Sequence, residues 1–319
     1  MAAPADDWVP YKLVRGQEWL CRWFARAGQR YSEPFFEETV LKCLSLAPNG
    51  RQYASTSTLD FLVEAAKHAE PVAPTAFIFH VSRCGSTLLA QLLGLHAQHI
   101  VLSEAPLIDS LLRLPLQDVQ VTRSQIEPLL RAAVSLLGER RFGEKRLFIK
   151  LDSWHIQFAS FIRKLYPDVP FILLHREPAA VVRSHQERRG MQAVPGLIEP
   201  QLFGLQPNEL AIDKPDEYLA TVLTYYYEQF ASLAEHDARA LLLDYGEGGE
   251  AMMARLAQHV GLQLDTALRE QIRERSRFHS KYPGQTFVEE RAPQEMPANL
   301  HLAESAYEKM LLARAGSGI

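Results

Sequence analysis

The sequence is poor in the features that mark the easily assigned classes of protein. Of its 319 residues only three are cysteine, Cys21, Cys43 and Cys84, odd in number and far apart. No disulfide framework and no metal-ligand pattern can be read from them, which suits a reducing compartment. No stretch approaches the roughly 18 continuous apolar residues that a membrane-spanning helix requires. The opening residues, MAAPADDWVPYK, are acidic and lack an apolar core, so they do not read as a signal peptide. Basic residues do not dominate: 34 Lys and Arg against 38 Asp and Glu give a formal net charge of −4. That balance argues against nucleic-acid binding driven by general basicity, although it leaves room for a local anion site. Internal repeats and low-complexity blocks are also missing. What is present is the composition of a globular protein with a sizeable core, 47% hydrophobic and 23% charged. The expectation is a soluble, cytoplasmic protein.

Residues 12–69 mix helical patterns with turn signals. LVRGQEWLCRWFARAG spaces its aromatics as a helix would, and SEPFFEETVLKCLS opens with Ser32 in a position resembling a capping box. With STSTLDFLVEAAKHA, these predict an N-terminal helical region over 1–72. From Thr75 the pattern changes. TAFIFHVS, HIVLS, RLFIKL, PFILLHRE and ARALLLDY are short apolar runs bounded by turn residues, the profile of buried strands. Helical stretches alternate with them, and Pro178 stands where a first helical turn tolerates proline. Residues 73–319 therefore read as an α/β domain with a three-layer arrangement and a central parallel sheet of about five strands. Residues 190–215 are rich in Pro and Gly, have no clean period, and fit a lid or substrate loop.

The chemistry begins at HVSRCGST, residues 80–87, between a strand and a helix. Backbone N–H groups at a helix start point outward without intrahelical partners, and the helix dipole favours an anion there. Set against the nucleotide-binding pattern GxxxxGK[ST], the chain has His80 for the first glycine and Ser86 for the lysine, with Thr87 last. The cation has moved to Arg83, before Gly85. An ordinary Mg-ATP enzyme needs that lysine, whereas Arg83, Gly85, Ser86 and Thr87 suit one compact phosphate.

Arg83-Cys84-Gly85-Ser86-Thr87-Leu88 resembles the cofactor loop of the sulfotransferase family, with Cys84 replacing a commoner Ser. A second segment, HREPAAVVRS, matches that family's other signature: Arg176, then Pro178, then Ser184 eight positions after the arginine. The resemblance implies a P-loop-like fold and 3′-phosphoadenosine 5′-phosphosulfate (PAPS) as donor, leaving as 3′-phosphoadenosine 5′-phosphate. Arg176 and Ser184 would take the 3′-phosphate, whose charge a guanidinium matches bidentately. Lys150, at the end of RLFIKL, would neutralise charge on the sulfuryl group. Tyr245 would touch the adenine, with Gly246 breaking the acidic pair usual after it, and Lys281 would belong to a cofactor-clamping loop.

For the base that accepts the acceptor's proton, three residues compete. Many family members place a His two residues after the strand lysine, where this chain has Asp152. Tyrosylprotein sulfotransferases use a Glu just after the second strand, and Glu104 stands there, 21 residues after Arg83. Glu104 is favoured, with Asp152 and His155 behind it. No metal is expected, because a sulfuryl group carries less charge than a phosphoryl group. The acceptor, whether small molecule, carbohydrate or peptide, and the oligomeric state stay open. The rival readings are a small-molecule kinase using ATP through a degenerate loop, and a non-catalytic nucleotide-binding protein of the same fold.

Overall fold

The first residues expected to be helical instead form a hairpin. In a computed structural model describing residues 7–46, 49, 55–277 and 295–316, β1 (Trp8–Arg15) pairs antiparallel with β2 (Trp19–Ala25), with Leu13 opposite Cys21. Trp19 and Trp23 are four residues apart, a spacing that shares a face on a strand as well as on a helix. The turn at Gly16, whose N–H reaches the Glu18 carbonyl at 2.9 Å, decides between them. Helix α1 (Phe36–Leu44) is capped at Phe35 without a side-chain bond, and Ser32 lies outside it. Strand β3 (Ser55–Thr58) extends the sheet in the order β1-β2-β3, and only then does α2 (Leu59–Ala66) begin, its first turn closed on the Thr58 hydroxyl.

The five apolar runs are strands as expected: β4 (Pro74–His80), β5 (His99–Ser103), β6 (Arg146–Lys150), β7 (Phe171–His175) and β8 (Ala240–Asp244). They form one parallel sheet in the order β5-β6-β4-β7-β8, flanked by helices. Every residue of β5 and β7 is buried, which is why they read as continuous apolar runs rather than alternating ones. The helices are α3 (Ser86–Gly94), α4 (Pro106–Gln117), α5 (Arg123–Leu137), α6 (Ala159–Leu165), α7 (Pro178–Glu187), α8 (Pro215–His236), α9 (Gly249–His259), α10 (Thr266–Ser276) and α11 (Leu300–Gly316). Among the described residues none is long and apolar enough to cross a membrane.

Three stretches depart from expectation. Residues 153–158 wind as a 3-10 segment before α6. Residues 190–214 contain three single 3-10 turns at Met191–Ala193, Pro200–Phe203 and Pro207–Glu209. Helix α10 went unread because it buries only Leu268 and Ile272, and Asp265 caps it by accepting from the Leu268 N–H at 2.7 Å. The chain divides into two compact units, Met1–Thr75 with Leu93–Leu151, and Ala76–Leu92 with Asp152–Ile319.

In the first unit His99 opens β5 with its Nδ1–H on the Leu93 carbonyl (2.8 Å) and its ring stacked on His96, centroids 4.5 Å apart. Its Nε2 is buried without a hydrogen-bond partner among the described residues. Burial holds its pKa down, at about 4 against the usual 6.5. The unfolded chain therefore binds the proton first as pH falls. Stability from this group is complete above about pH 6.5 and is lost on acidification toward pH 4, on the order of 1 kcal/mol per pH unit. Urea unfolding at pH 7, 6 and 5 should show His99→Gln losing less stability than the parent over that range. Parallel profiles would remove His99 as the cause.

Candidate functional site

The loop from β4 to α3 belongs to the second unit and departs from relaxed backbone geometry. Ser82 (φ 66°) and Arg83 (φ 49°) are left-handed, as is Gly85 (φ 77°). Each non-glycine residue so held costs roughly 1–2 kcal/mol, so the surrounding contacts must fix the loop. Those contacts are visible. The Ser82 N–H donates to His80 Nδ1 at 3.1 Å, and the buried Cys84 thiol donates to the Leu174 carbonyl of β7 at 3.4 Å. Ser86 and Thr87 are buried in the first turn of α3, with Leu88 beside them. Gly85 caps that helix through its carbonyl, which accepts from Leu89 N–H at 3.0 Å. The first amides of α3 thus stand at the positive end of the helix, the arrangement that receives an anion.

Arg83 and Arg176 tie this loop to β7 and α7. Arg83 Nη2 donates to the carbonyls of Ser184 (3.2 Å) and Arg188 (2.5 Å), at the end of α7. In return Arg176 Nη1 donates to the Arg83 carbonyl at 3.1 Å, and the Tyr227 hydroxyl holds the Arg176 carbonyl at 2.7 Å. The Tyr245 ring, just past β8, lies 5.0 Å from the Arg176 guanidinium carbon and against the Gly85 backbone. A Cβ on Gly85 would come within 2.2 Å of Tyr245 Cδ2, so only glycine fits. Arg83, Gly85, Arg176, Ser184 and Tyr245, scattered in sequence, are therefore one cluster. Lys281 lies outside the described residues.

The first unit holds Glu104 and Lys150. β5 and β6 are in parallel register with Ser103 opposite Lys150, which places Glu104 one step beyond. Glu104 is left-handed (φ 55°), its N–H donating to the Lys150 carbonyl at 2.9 Å, while Lys150 Nζ meets Glu104 Oε1 at 2.5 Å. The lysine side chain is fully buried and that of Glu104 is 24% exposed. The Phe35 ring, centroid 5.0 Å away, supplies a second favourable contact for the ammonium. A buried ammonium needs such a counter-ion, and removing one partner of a buried pair costs about 3–5 kcal/mol. Asp152 and His155, in the second unit, engage each other instead. Asp152 caps the 3-10 segment, its N–H donates to His155 Nδ1 at 3.2 Å, and His155 is 1% exposed.

Phe35, Tyr227 and the Arg188 carbonyl were not anticipated. Only Tyr227 left a trace, in the run Tyr225-Tyr226-Tyr227 on α8, and a backbone acceptor such as Arg188 leaves none.

Comparison with known proteins fits this arrangement. The model of the sulfotransferase family matches residues 74–266, more than half of the chain, and the chain belongs to that family. The chemistry of the family is sulfuryl transfer. Similar solved structures include a sulfotransferase from Alicyclobacillus acidocaldarius, 15% identical, covering 62% of this chain and 89% of that one with a TM-score of 0.38. Another is sulfotransferase STF1 from Mycobacterium tuberculosis H37Rv, 15% identical, covering 78% and 81% of the two chains with a TM-score of 0.41. No curated protein matches the sequence.

The contact between Gly85 and Tyr245 can be tested by a double-mutant cycle. Gly85→Ala should destabilise by several kcal/mol, because strain at positive φ adds to the clash. Tyr245→Ala should relieve the clash, so the double variant loses at least about 1 kcal/mol less than the sum of the single changes. Additive losses in denaturant unfolding would show that the ring does not rest on this glycine.

Proposed function

We propose that the protein transfers a sulfuryl group from PAPS to a hydroxyl acceptor. The observation that carries the reading is the mutual strapping of Arg83 and Arg176, which joins a helix-start anion cradle to a second cationic group. Such a donor set fits a nucleotide phosphorylated at both its 5′ and 3′ positions. Amides of the loop, with Ser86, Thr87 and Arg83, hold the 5′ end. Arg176 and the hydroxyl of Ser184 hold the 3′-phosphate, and Tyr245 lies along the adenine. When bound, the donor supplies the sulfuryl group and leaves as 3′-phosphoadenosine 5′-phosphate.

Glu104 takes the proton from the acceptor hydroxyl as its oxygen bonds to sulfur. Lys150 neutralises the charge that gathers on the oxygen leaving sulfur. The ion pair supports this division of labour, since it orients the carboxylate and places the ammonium beside it. Asp152 is the second candidate for the base, its carboxylate lying 3.8 Å from His155 Nε2 rather than on the lysine.

Thermal unfolding with adenosine 3′,5′-bisphosphate should show stabilisation by about 2.7 kcal/mol at a hundredfold excess over Kd. Arg176→Ala should weaken bisphosphate binding by at least tenfold, roughly the loss of one charge-assisted bond, and weaken adenosine 5′-monophosphate binding by a smaller factor. A response to Mg-ATP alone would sink the reading.

Glu104→Gln should keep bisphosphate affinity within about threefold and lose transfer by at least about a hundredfold. Because the change also unpairs Lys150, folding is checked by unfolding midpoint at the assay temperature. Near-normal turnover would move the base to Asp152 or His155.

A further inference from the structure

Helix α8 carries three consecutive tyrosines whose hydroxyls go to different places. Tyr225 meets the Gln157 side chain, Tyr226 donates to Ser153 Oγ at 3.1 Å, and Tyr227 donates to the Arg176 carbonyl at 2.7 Å. Tyr227 is fully buried. A phenylalanine would fill the same volume, whereas a buried hydroxyl costs desolvation unless it is bonded. Burial also holds the phenol pKa well above its ordinary value, so the group stays a donor. The ring is fixed as well. Tyr307 of α11 lies edge-on to it, centroids 5.2 Å apart, and edge-on to His175 at 5.6 Å. All of these residues belong to the second unit.

The acceptor of the Tyr227 bond matters because of where Arg176 stands. His175 is the last residue of β7, in register with Asp244, so the sheet sets the peptide plane that precedes Arg176. The plane that follows leads to Pro178, where α7 begins and which has no N–H. The Tyr227 hydroxyl fixes that second plane through its carbonyl. Two fixed planes joined at one Cα determine the direction in which its side chain leaves. At its far end Arg176 Nη1 donates to the Arg83 carbonyl at 3.1 Å, and its guanidinium carbon lies 5.0 Å from the Tyr245 ring. A long side chain held at both ends loses less freedom on meeting an anion, and such preorganisation favours affinity.

We propose that Tyr227 is a positioning residue for recognition of a 3′-phosphorylated nucleotide, acting through the carbonyl of Arg176. The inference rests on the donor reading above and deepens it: selection for the 3′-phosphate depends on a hydroxyl supplied by α8 as well as on the guanidinium. Loss of the hydroxyl lowers the contribution of Arg176 and affects the 5′ end, held by the loop amides, to a smaller degree. Coupling through one neutral hydrogen bond is bounded at roughly tenfold.

Tyr227→Phe keeps the ring against Tyr307 and removes the hydroxyl. Calorimetric binding of adenosine 3′,5′-bisphosphate and of adenosine 5′-monophosphate is compared in the parent, Tyr227→Phe, Arg176→Ala and the double variant. Preference for the bisphosphate over the monophosphate should fall by about threefold to tenfold in Tyr227→Phe. In the Arg176→Ala background, adding Tyr227→Phe should leave the preference unchanged within about twofold. General loosening of the site weakens both nucleotides alike, so an unchanged preference in Tyr227→Phe overturns the inference. A further fall in the Arg176→Ala background overturns it too, since the hydroxyl would then act by another route. If the unfolding midpoint shows Tyr227→Phe unfolded at the assay temperature, Tyr307→Leu takes its place. Selective loss of the bisphosphate there supports the inference, and equal loss of both nucleotides overturns it. A parent that does not prefer the bisphosphate removes the donor reading itself and takes this inference with it.

Discussion

Burying both faces of a parallel sheet takes nearly every strand side chain out of water, so charged chemistry collects where the strands stop. Each of the candidate site residues obeys that constraint. Lys150 is the last residue of β6, and Glu104 follows the last residue of β5. Arg176 follows β7, Tyr245 follows β8, and the loop bearing Arg83 follows β4. Lys150 shows the constraint at its hardest. Its ammonium is enclosed, and among the described residues Glu104 and the Phe35 ring compensate for the water it has lost. A catalytic role for that pair costs the fold little extra, because the buried lysine already requires an oriented carboxylate.

Backbone strain points to the same places. The non-glycine residues with positive φ among those described are Ala27, Ser82, Arg83 and Glu104. Ala27 belongs to the turn after β2, where Gly28 is left-handed as well. The other three lie in the phosphate loop and at the carboxylate of the ion pair. Such conformations persist only where neighbouring contacts over-determine them. Here the contacts are Arg176 on the Arg83 carbonyl and the Lys150 carbonyl on the Glu104 N–H. Arg83 consequently has a structural duty beside any electrostatic one, since its guanidinium secures the end of α7 to the loop. In this chain the loop after β4 and the end of α7 are parts of one hydrogen-bonded assembly.

Much of this was legible in the residues, and the exceptions have physical causes. The strands announced themselves because full burial demands uninterrupted apolar runs, and the two loops because Gly85, the hydroxyl pair and the Arg-to-Ser spacing are local patterns. The N-terminal hairpin was hidden by tryptophans whose spacing satisfies both periods. The Glu104–Lys150 pairing depends on the register of two strands separated by α4 and α5, which no local pattern encodes. The reach of Arg83 to the carbonyls of Ser184 and Arg188 was equally invisible, since every residue type carries the same acceptor. Helix α10 leaves little trace because it buries only Leu268 and Ile272, an apolar stripe too short to show a period.

The cluster around Arg83 and residues 190–214 are held in different ways, and this bears on how each can vary. Arg83 and Arg176 are fixed by strand ends, a helix start and reciprocal main-chain bonds, so substitution at Gly85 or Arg176 disturbs several contacts at once. Residues 190–214 bury Ala193, Ile198, Leu202 and Phe203 and expose Met191, Val194, Leu197 and Ile212, with the base closed by Arg189 and Asp216. Replacing Leu197 or Ile212 changes the surface without touching those buried residues.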